Sequence, residues 1–494
     1  MTERTAKTLV FGTSLCVLVL EILAGRLLAP LIGVSMETFT GIIGTILAAI
    51  AAGSVIGGRV ADRVDPAPLI GPAIVVGGVL TWASPVLVSA LDSVRGSDPV
   101  TIVILTTVMF FAPAAVLSSV TPMVAKLVIR DLGSTGTIVG GLSAAGTAGA
   151  LAGTYLTGFL FVRYFSTRTL LAIVGGVLVA TGVGVGVAMA VKAKRLSGSA
   201  AVAPIVIAVV AASVAGGGVA AIPGRCDLET DYACVELVVD PDRSSGRTVV
   251  LNQTHNSYID LDDPTHLEFR YLRLFASIVT TSAPGSIDGL HLGGAGFTFA
   301  RYIQASPQAG HQIVLEIDDQ LAEFVAAELG PGAMSGVDVV LGDARLTARS
   351  LDSDQFDLVI GDAFSGLTVP WHLTTDEFVA DLNRVLVGDG VVIMNIIDGG
   401  DLSFVRSQLA TYAVHFEHLN LVVPPDWGDL WDSSIAASQP RNYVLVASHM
   451  PLLMPSIARS DGRWLSESET QTLMGDAAIL SDGYAPVDQI RRSG

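Results

Sequence analysis

The chain has 494 residues, 51% of them hydrophobic and only 15% charged, with a formal charge of −18 and a mean hydropathy of +0.59. That balance excludes a single soluble enzyme, a disordered chain and a disulfide scaffold. The charge is unevenly placed: residues 1–222 carry 13 Lys+Arg and 8 Asp+Glu, whereas 223–494 carry 15 and 38, and all 15 of those cations are Arg. An apolar half thus precedes an acidic, water-soluble half, with the boundary at Pro223. The acidic half argues against nucleic-acid binding, because phosphate contacts need cations. Three cysteines, Cys16, Cys226 and Cys234, are too few for a zinc cluster, and no metal is expected.

Apolar runs of about 20 residues span a bilayer. Seven are predicted in domain 1–222: roughly 8–32, 38–58, 69–91, 101–123, 137–161, 169–191 and 200–222. The first is too long for a cleavable signal peptide and lacks a small-residue cleavage site before a soluble region. Glycines such as Gly140, Gly141, Gly146, Gly149 and Gly153 suit close helix approach. Short-loop cations set the orientation. One side receives Arg4, Lys7, Arg59, Arg63, Lys126, Arg130, Lys192, Lys194 and Arg195, and the other only Arg95, Arg163 and Arg168. The N-terminus is therefore predicted to be cytoplasmic, in a multi-pass cell-membrane protein whose partner is the lipid bilayer.

Seven crossings from an inside start place the acidic half outside. An enzyme using a cytosolic cofactor is expected inside, and the run 200–222, with Gly216, Gly217 and Gly218, could instead be re-entrant. Chemistry leans to the cytoplasmic face and loop charge to the external one, so the side stays open. Cys226 and Cys234 would be free thiols inside or a disulfide outside; two ordinary unlinked cysteines on neighbouring strands are the simpler expectation. Glu21 and Arg26 lie within the first run, where charges pair, line a polar cavity or, for Arg26, snorkel to an interface. The loop GGRVADR, Gly57 to Arg63, resembles the cytoplasmic loop between helices two and three of major facilitator transporters.

Beyond Pro223 the pattern becomes strands alternating with helices. YACVELVVD, RTVVLNQ and NSYIDL predict a small antiparallel sheet over 223–262. A helix is expected near 264–283, with Leu267, Phe269, Tyr271, Leu272, Leu274 and Phe275 on its apolar side. Six further apolar runs follow, at 287–294, 311–318, 337–343, 356–362, 390–397 and 442–448. Alternating with helical stretches, they predict a parallel, doubly wound sheet in domain 263–450. Ligands of such sheets sit beyond the strands' carboxyl ends. There LHLGGAGF places Gly293, Gly294 and Gly296 at a strand-to-helix turn, where missing side chains admit a ligand. VLEID places Glu316 where an acid binds ribose hydroxyls, and GDAR places Asp343 to accept from an adenine amino group. The bland alternative is that Asp318, Asp319 and Asp343 merely cap helices.

The stretch from about Cys226 to Ser448 resembles the spermidine synthase (polyamine aminopropyltransferase) family. With the apolar half, the chain resembles that family's membrane-fused, transporter-like members. ETDYACVELV resembles the opening strand, LGGAGFTFAR the nucleoside loop, VLEID the ribose strand, GDAR the adenine turn and FDLVIGDAFSG the catalytic strand. The resemblance implies a Rossmann-like, class I methyltransferase-type domain with a small N-terminal sheet. It implies aminopropyl transfer from decarboxylated S-adenosylmethionine to a diamine such as putrescine, with no metal. Gly293, Gly294, Gly296, Glu316, Asp343 and Ala344 would then bind the donor, and Asp362 would be the catalytic base. A polyamine or other small cation is the expected partner, and a homodimer is an open alternative.

Two departures stand out. Ser365 replaces the family's second aspartate, and Gly296 replaces the aspartate that grips the donor amine. His255, Ser257 and Tyr258 occupy the region of the substrate gate, so these three with Ser365 and His372 are the acceptor candidates. A loop histidine such as His372 is more often structural or solvated, and Trp371 and Trp427 either wall a pocket or belong to the core. The net charge of −23 beyond Pro223 attracts polycations and equally serves solubility. Residues 451–494 are expected to be a loose tail with a helix near 466–475. Two other readings compete: a polyamine- or nucleoside-binding sensor or transporter without turnover, and a methyltransferase using S-adenosylmethionine itself.

Overall fold

The computed structural model describes residues 1–32, 36–91, 99–129, 132–193, 211, 215–219, 226–282, 285–399, 401–425, 427 and 440–490. The chain divides into two compact units, Met1–Arg225 and Cys226–Gly494, and each is described by itself.

Among the described residues of the first unit, six helices are long and apolar enough to cross a membrane: α1 Glu3–Ile32, α2 Met36–Arg63, α3 Ala67–Ala90, α4 Pro99–Val128, α5 Thr135–Tyr164 and α6 Thr167–Lys192. The seventh predicted run, 200–222, lies outside the described residues except at 211 and 215–219. In a bilayer, lipid would offer no hydrophobic drive between such helices, and close backbone packing would have to hold them together. Glycines supply it here. Gly53 and Gly57 on α2 lie against the backbone of Ala115 and Ser119 on α4, and Gly149 and Gly153 on α5 against Phe11 and Leu15 on α1. A Cβ on Gly71 of α3 would stand 2.7 Å from the Gly182 carbonyl oxygen of α6. Arg26 donates from Nε to Thr167 Oγ1 (3.3 Å) at the start of α6. Gly71→Leu is expected to destabilise this unit by about 1–3 kcal/mol through over-packing, read as a lower melting temperature in detergent; an unchanged melting temperature would refute the close packing of α3 on α6.

The second unit opens with an antiparallel sheet, β1 Leu228–Glu229, β2 Cys234–Val239, β3 Gly246–Leu251 and β4 Thr254–Asp260, in the order β1-β2-β3-β4. A disulfide joins Cys226 to Cys234, correcting the expectation of two unlinked cysteines. The next helix, α7, spans Arg270–Ser282, starting later than predicted. The cause is a chain of side-chain turns: Asp260 Oδ1 accepts from the Asp262 and Asp263 N–H groups, and Asp263 Oδ1 from Thr265 N–H. Asp and Asn held this way compete with helix.

Then follow β5 Ile287–Leu292, α8 Thr298–Ala305, β6 Ala309–Glu316, α9 Asp319–Leu329, β7 Val337–Leu341, α10 Ala344–Ser350 and β8 Phe356–Gly361. After these come α11 Asp376–Val385, β9 Leu386–Asp398, α12 Ser403–Tyr412, β10 His418–Val423, β11 Arg441–Ser448, β12 Arg463–Leu465, α13 Glu467–Met474 and α14 Val487–Ile490. The sheet order is β12-β10-β11-β9-β8-β5-β6-β7. Strands β5 to β9 are parallel, whereas β11 runs antiparallel to β9 and β10, and β12 antiparallel to β10. The predicted all-parallel sheet is therefore mixed. The apolar run at 442–448 carries no mark of direction; β11 is antiparallel because it inserts between β9 and β10.

Both sheet faces are covered, and the strands alternate accordingly. Leu358, Ile360, Ile393, Val444 and Val446 pack with α7 and α8. Val359, Val392, Leu445 and Ala447 pack on the other face with Phe378 of α11 and Phe404 of α12. The small sheet shares a core with α8 and α9 through Val235, Val249, Ile259, Ala300 and Val325. The loose tail expected after 450 is instead packed: β12 extends the sheet, Leu480 and Val487 are buried, and Asp482 receives both Nη groups of Arg345 at 2.6 Å.

Candidate functional site

The parallel strands end on one edge, and the acids singled out above meet there. Gly293, with φ of +91°, leaves β5 where a Cβ would stand 2.8 Å from the Asp362 carbonyl oxygen. Only glycine suits that combination of a left-handed φ and a backbone neighbour. Glu316 at the tip of β6 holds the turn: its Oε2 accepts from the N–H groups of Gly294 (2.8 Å) and Ala295 (3.1 Å), and its Oε1 from Asp318 N–H (3.0 Å). A carboxylate offers about four acceptor positions, so one stays open for a hydroxyl donor.

Asp343 lies one strand further on. Its Oδ1 caps α10 by accepting from the Arg345 and Leu346 N–H groups (both 3.0 Å), and its Oδ2 pairs with His372 Nε2 at 2.8 Å. Burial opposes its ionisation, but the Leu346 N–H, His372 and the Arg345 N–H outweigh that and hold the carboxyl below its usual range. The capping alternative therefore describes one oxygen of Asp343. It also describes Asp318, whose Oδ1 accepts from Leu321 N–H (3.0 Å). Ala344 is the first residue of α10, and its side chain belongs to the core.

Asp362 follows β8 and stands where two hollows meet. One is a cleft over the glycine turn, lined by Asn256, Ser257, Tyr271, Gly293, Gly294, Ala295 and Asp362. The other is a cavity of about 470 Å³ whose polar lining includes His255, Asn256, Glu268, Arg270, Tyr271, Asp362, Asn395, Asn442 and Asp461. Tyr271 donates its hydroxyl to Asp362 Oδ2 (2.8 Å), and Asn395 donates from Nδ2 to Oδ1 (2.8 Å). Asn442 Nδ2 donates in turn to Asn395 Oδ1 (2.9 Å), which fixes that amide's orientation. Burial pushes the Asp362 carboxyl up, the bonds from Asn395 and Tyr271 pull it back, and the balance lies at about 6. Burial also raises the Tyr271 phenol, with Asp362 adding to it.

The acceptor candidates do not all converge. His255 lines the larger cavity. Ser257 lines the glycine cleft and hydrogen-bonds Thr298 Oγ1 at 3.0 Å. Tyr258 is a correction: it donates to Asp240 Oδ2 (2.7 Å) and packs within the small sheet, because alternation along β4 turns it away from the cleft that Ser257 faces. Ser365 is also a correction: it is exposed, in a tight turn bridged to Thr368. His372 stands against Asp343 rather than in the acceptor cavity. Trp371 is exposed, and Trp427 packs edge-on against Tyr443.

Tyr271, Asn395, Asn442, Glu268 and Asp461 were missed. Asn395 had a signal, as a polar residue inside the apolar run GVVIMNII. Tyr271 read as part of an apolar helix face, and Asp461 lies in the segment taken for a tail.

A doubly wound sheet with a glycine turn and acids at successive strand tips defines the class of α/β domains that take ligands at that edge. No family model matches the chain. The chain is 28% identical over 239 residues to the polyamine aminopropyltransferase of Vibrio vulnificus, covering 45% of this chain and 76% of that one. It is 27% identical over 146 residues to the Chromobacterium violaceum polyamine aminopropyltransferase, covering 29% and 55%. Among solved structures, a probable spermidine synthase from Corynebacterium glutamicum is 26% identical, with a TM-score of 0.48 over 53% of this chain and 98% of that one. A spermidine synthase in complex with the transition state analogue AdoDATO is 14% identical, with a TM-score of 0.36 over 52% and 81%. The acidic half is a spermidine-synthase-like transferase domain.

Gly296 separates this site from the resembled pattern in a way the fold enforces. A Cβ there would stand 2.5 Å from Ser257 Oγ and 2.6 Å from Ile259 Cγ2 of β4. Gly296→Asp is therefore expected to cost about 1–3 kcal/mol by over-packing without tightening the donor. Gly296→Asp combined with Ser257→Gly should recover part of the lost melting temperature. A stable single variant with higher donor affinity would contradict this packing.

Proposed function

We propose that the protein is an integral-membrane aminopropyltransferase that moves an aminopropyl group from decarboxylated S-adenosylmethionine to a small amine such as putrescine. The observation that carries this reading is the position of Asp362 between the glycine cleft and the larger cavity. Glu316 suits ribose hydroxyls and Asp343 an adenine amino group. Glu268 and Asp461 add carboxylates to the acceptor cavity, although Asp461 is paired with Arg273 (2.9 Å) and Arg270 opposes them. The attacking amine would form its N–C bond as the C–S bond to the sulfonium breaks, releasing a thioether, while Asp362 takes the amine proton. Positioning and proton removal are what such a reaction asks of the protein, since the sulfonium already activates the carbon.

A base must be unprotonated to act. With its carboxyl at about 6, Asp362 is mostly protonated below that pH and free above it. The rate should climb with pH through about 6 and level off, measured as release of methylthioadenosine from the donor and putrescine. Asp362→Asn should lower kcat by about a hundredfold or more and abolish the acid limb. No release with any amine, or an unaffected Asp362→Asn variant, would defeat the reading.

A second reading is a binding domain without turnover, favoured by Gly296, which leaves the donor's amine without the resembled carboxylate. Calorimetry showing tight polyamine or nucleoside binding with no product would select it. For the side of the membrane, we propose the external face, against the expectation that a cytosolic co-substrate places the domain inside; on this placement the donor and the amine reach the site from outside the cytosol. Disulfides persist in oxidising compartments, and the Cys226–Cys234 bond agrees with the loop charges and with seven predicted crossings, the last of which, 200–222, lies largely outside the described residues. A reporter fused after Gly494 should score external, and a cytoplasmic score would reverse this placement.

A further inference from the structure

We propose that the disulfide-closed segment 226–234 walls the nucleoside site and that Tyr232, at its tip, stacks on the bound base. This deepens the adenosyl reading of the strand tips and rests on it.

The segment is a closed loop: Cys226 and Cys234 are bonded, with Cα atoms 5.1 Å apart, and β1, within it, pairs with the start of β2 at Cys234 and Val235. Residues 230–233 form the tip. Thr230 N–H donates to the Ala233 carbonyl (2.9 Å), and Thr230 Oγ1 accepts from the Tyr232 (3.1 Å) and Ala233 (2.9 Å) N–H groups. The tip is tied to the site at two points. The Thr230 hydroxyl donates to the Asp318 carboxylate, and Asp231 N–H donates to Gln320 Oε1 at 3.2 Å. Asp318 in turn donates its N–H to Glu316 Oε1, so one bonded path links the disulfide loop to the proposed ribose acid.

Tyr232 is 54% exposed. Its N–H bond to Thr230 Oγ1, the hydroxyl that donates to Asp318, sets it beside the tip of β6, and its phenol is pushed up by partial burial and then by Asp318, Asp231, Asp319 and Asp343. Exposed apolar side chains flank the same acids: Ile317 follows Glu316, and Leu341 and Leu346 bracket Asp343. A half-exposed ring beside an apolar rim and a base-directed acid is the surface a purine face takes. None of these residues lines the larger cavity, so their effect should fall on the donor alone.

The test uses the full-length protein in detergent, titrated calorimetrically with 5′-methylthioadenosine and separately with spermidine. Tyr232→Ala should weaken the nucleoside roughly tenfold, while Tyr232→Phe, which keeps the ring, should bind as the parent does. Cys226→Ser with Cys234→Ser should shift binding in the same direction as Tyr232→Ala. Spermidine affinity and the melting temperature of Tyr232→Ala should not move. In turnover, KM for the donor should rise with kcat little changed. Parent-like nucleoside binding by Tyr232→Ala, or equal loss of both ligands, overturns the assignment. A parent protein that binds spermidine but no adenosyl ligand overturns the adenosyl reading itself.

Discussion

The site depends on one buried carboxylate. Glu316 ends an apolar strand, and its oxygens satisfy N–H groups of Gly294, Ala295 and Asp318. Without that partner the part-buried turn would carry unmet donors, each costing up to about 1–3 kcal/mol where water cannot reach them. The same bonds hold the glycine turn, whose Gly293 lies against the Asp362 backbone. One side chain thus couples the tips of β5, β6 and β8, and the disulfide loop reaches it through Asp318.

Asp362 shows how competing effects make a usable base. The end of a buried strand disfavours its charge, while a tyrosine hydroxyl and an oriented amide favour it, and the result lies near neutrality. Perturbed groups in clefts are characteristic of functional sites. The amide is oriented only because Asn442, on the antiparallel strand β11, donates to Asn395. The mixed part of the sheet therefore serves the site directly. On the opposite side, β4 presses Ser257 and Ile259 against Gly296, which excludes any side chain where the resembled pattern has a carboxylate.

The first unit, with its long apolar helices, follows a different logic. Its helices are joined by backbone approach at Gly53, Gly57, Gly71, Gly149, Gly153 and Gly182, together with polar contacts such as Arg26 Nε to Thr167 Oγ1 and Trp82 Nε1 to the Ala172 carbonyl. The glycines visible in the sequence divide on this point: Gly149 and Gly153 meet a neighbouring helix, while a Cβ on Gly140 would meet open space. Spacing alone does not say which glycine faces a partner, since that depends on the rotation of each helix.

The strand-end residues were legible because a parallel strand covered on both faces is mostly apolar, so an acid just past its apolar run stands out. That rule located Gly293, Glu316, Asp343 and Asp362 from local pattern, and hydropathy likewise located the six long helices. Tyr271, Asn442 and Asp461 were not legible, because their roles arise from chain segments about 90, 80 and 100 residues from Asp362 that meet only on folding. Tyr258 and Ser365 misled for the same reason: proximity in sequence to a gate or a catalytic strand does not say which way a side chain turns. Sequence alone determined the two-part architecture and the acids at the parallel edge, since both follow from short-range hydropathy. Tertiary structure decided the partners of Asp362, the closure of the cysteine loop and the direction of the last strands, since these depend on which distant surfaces become neighbours.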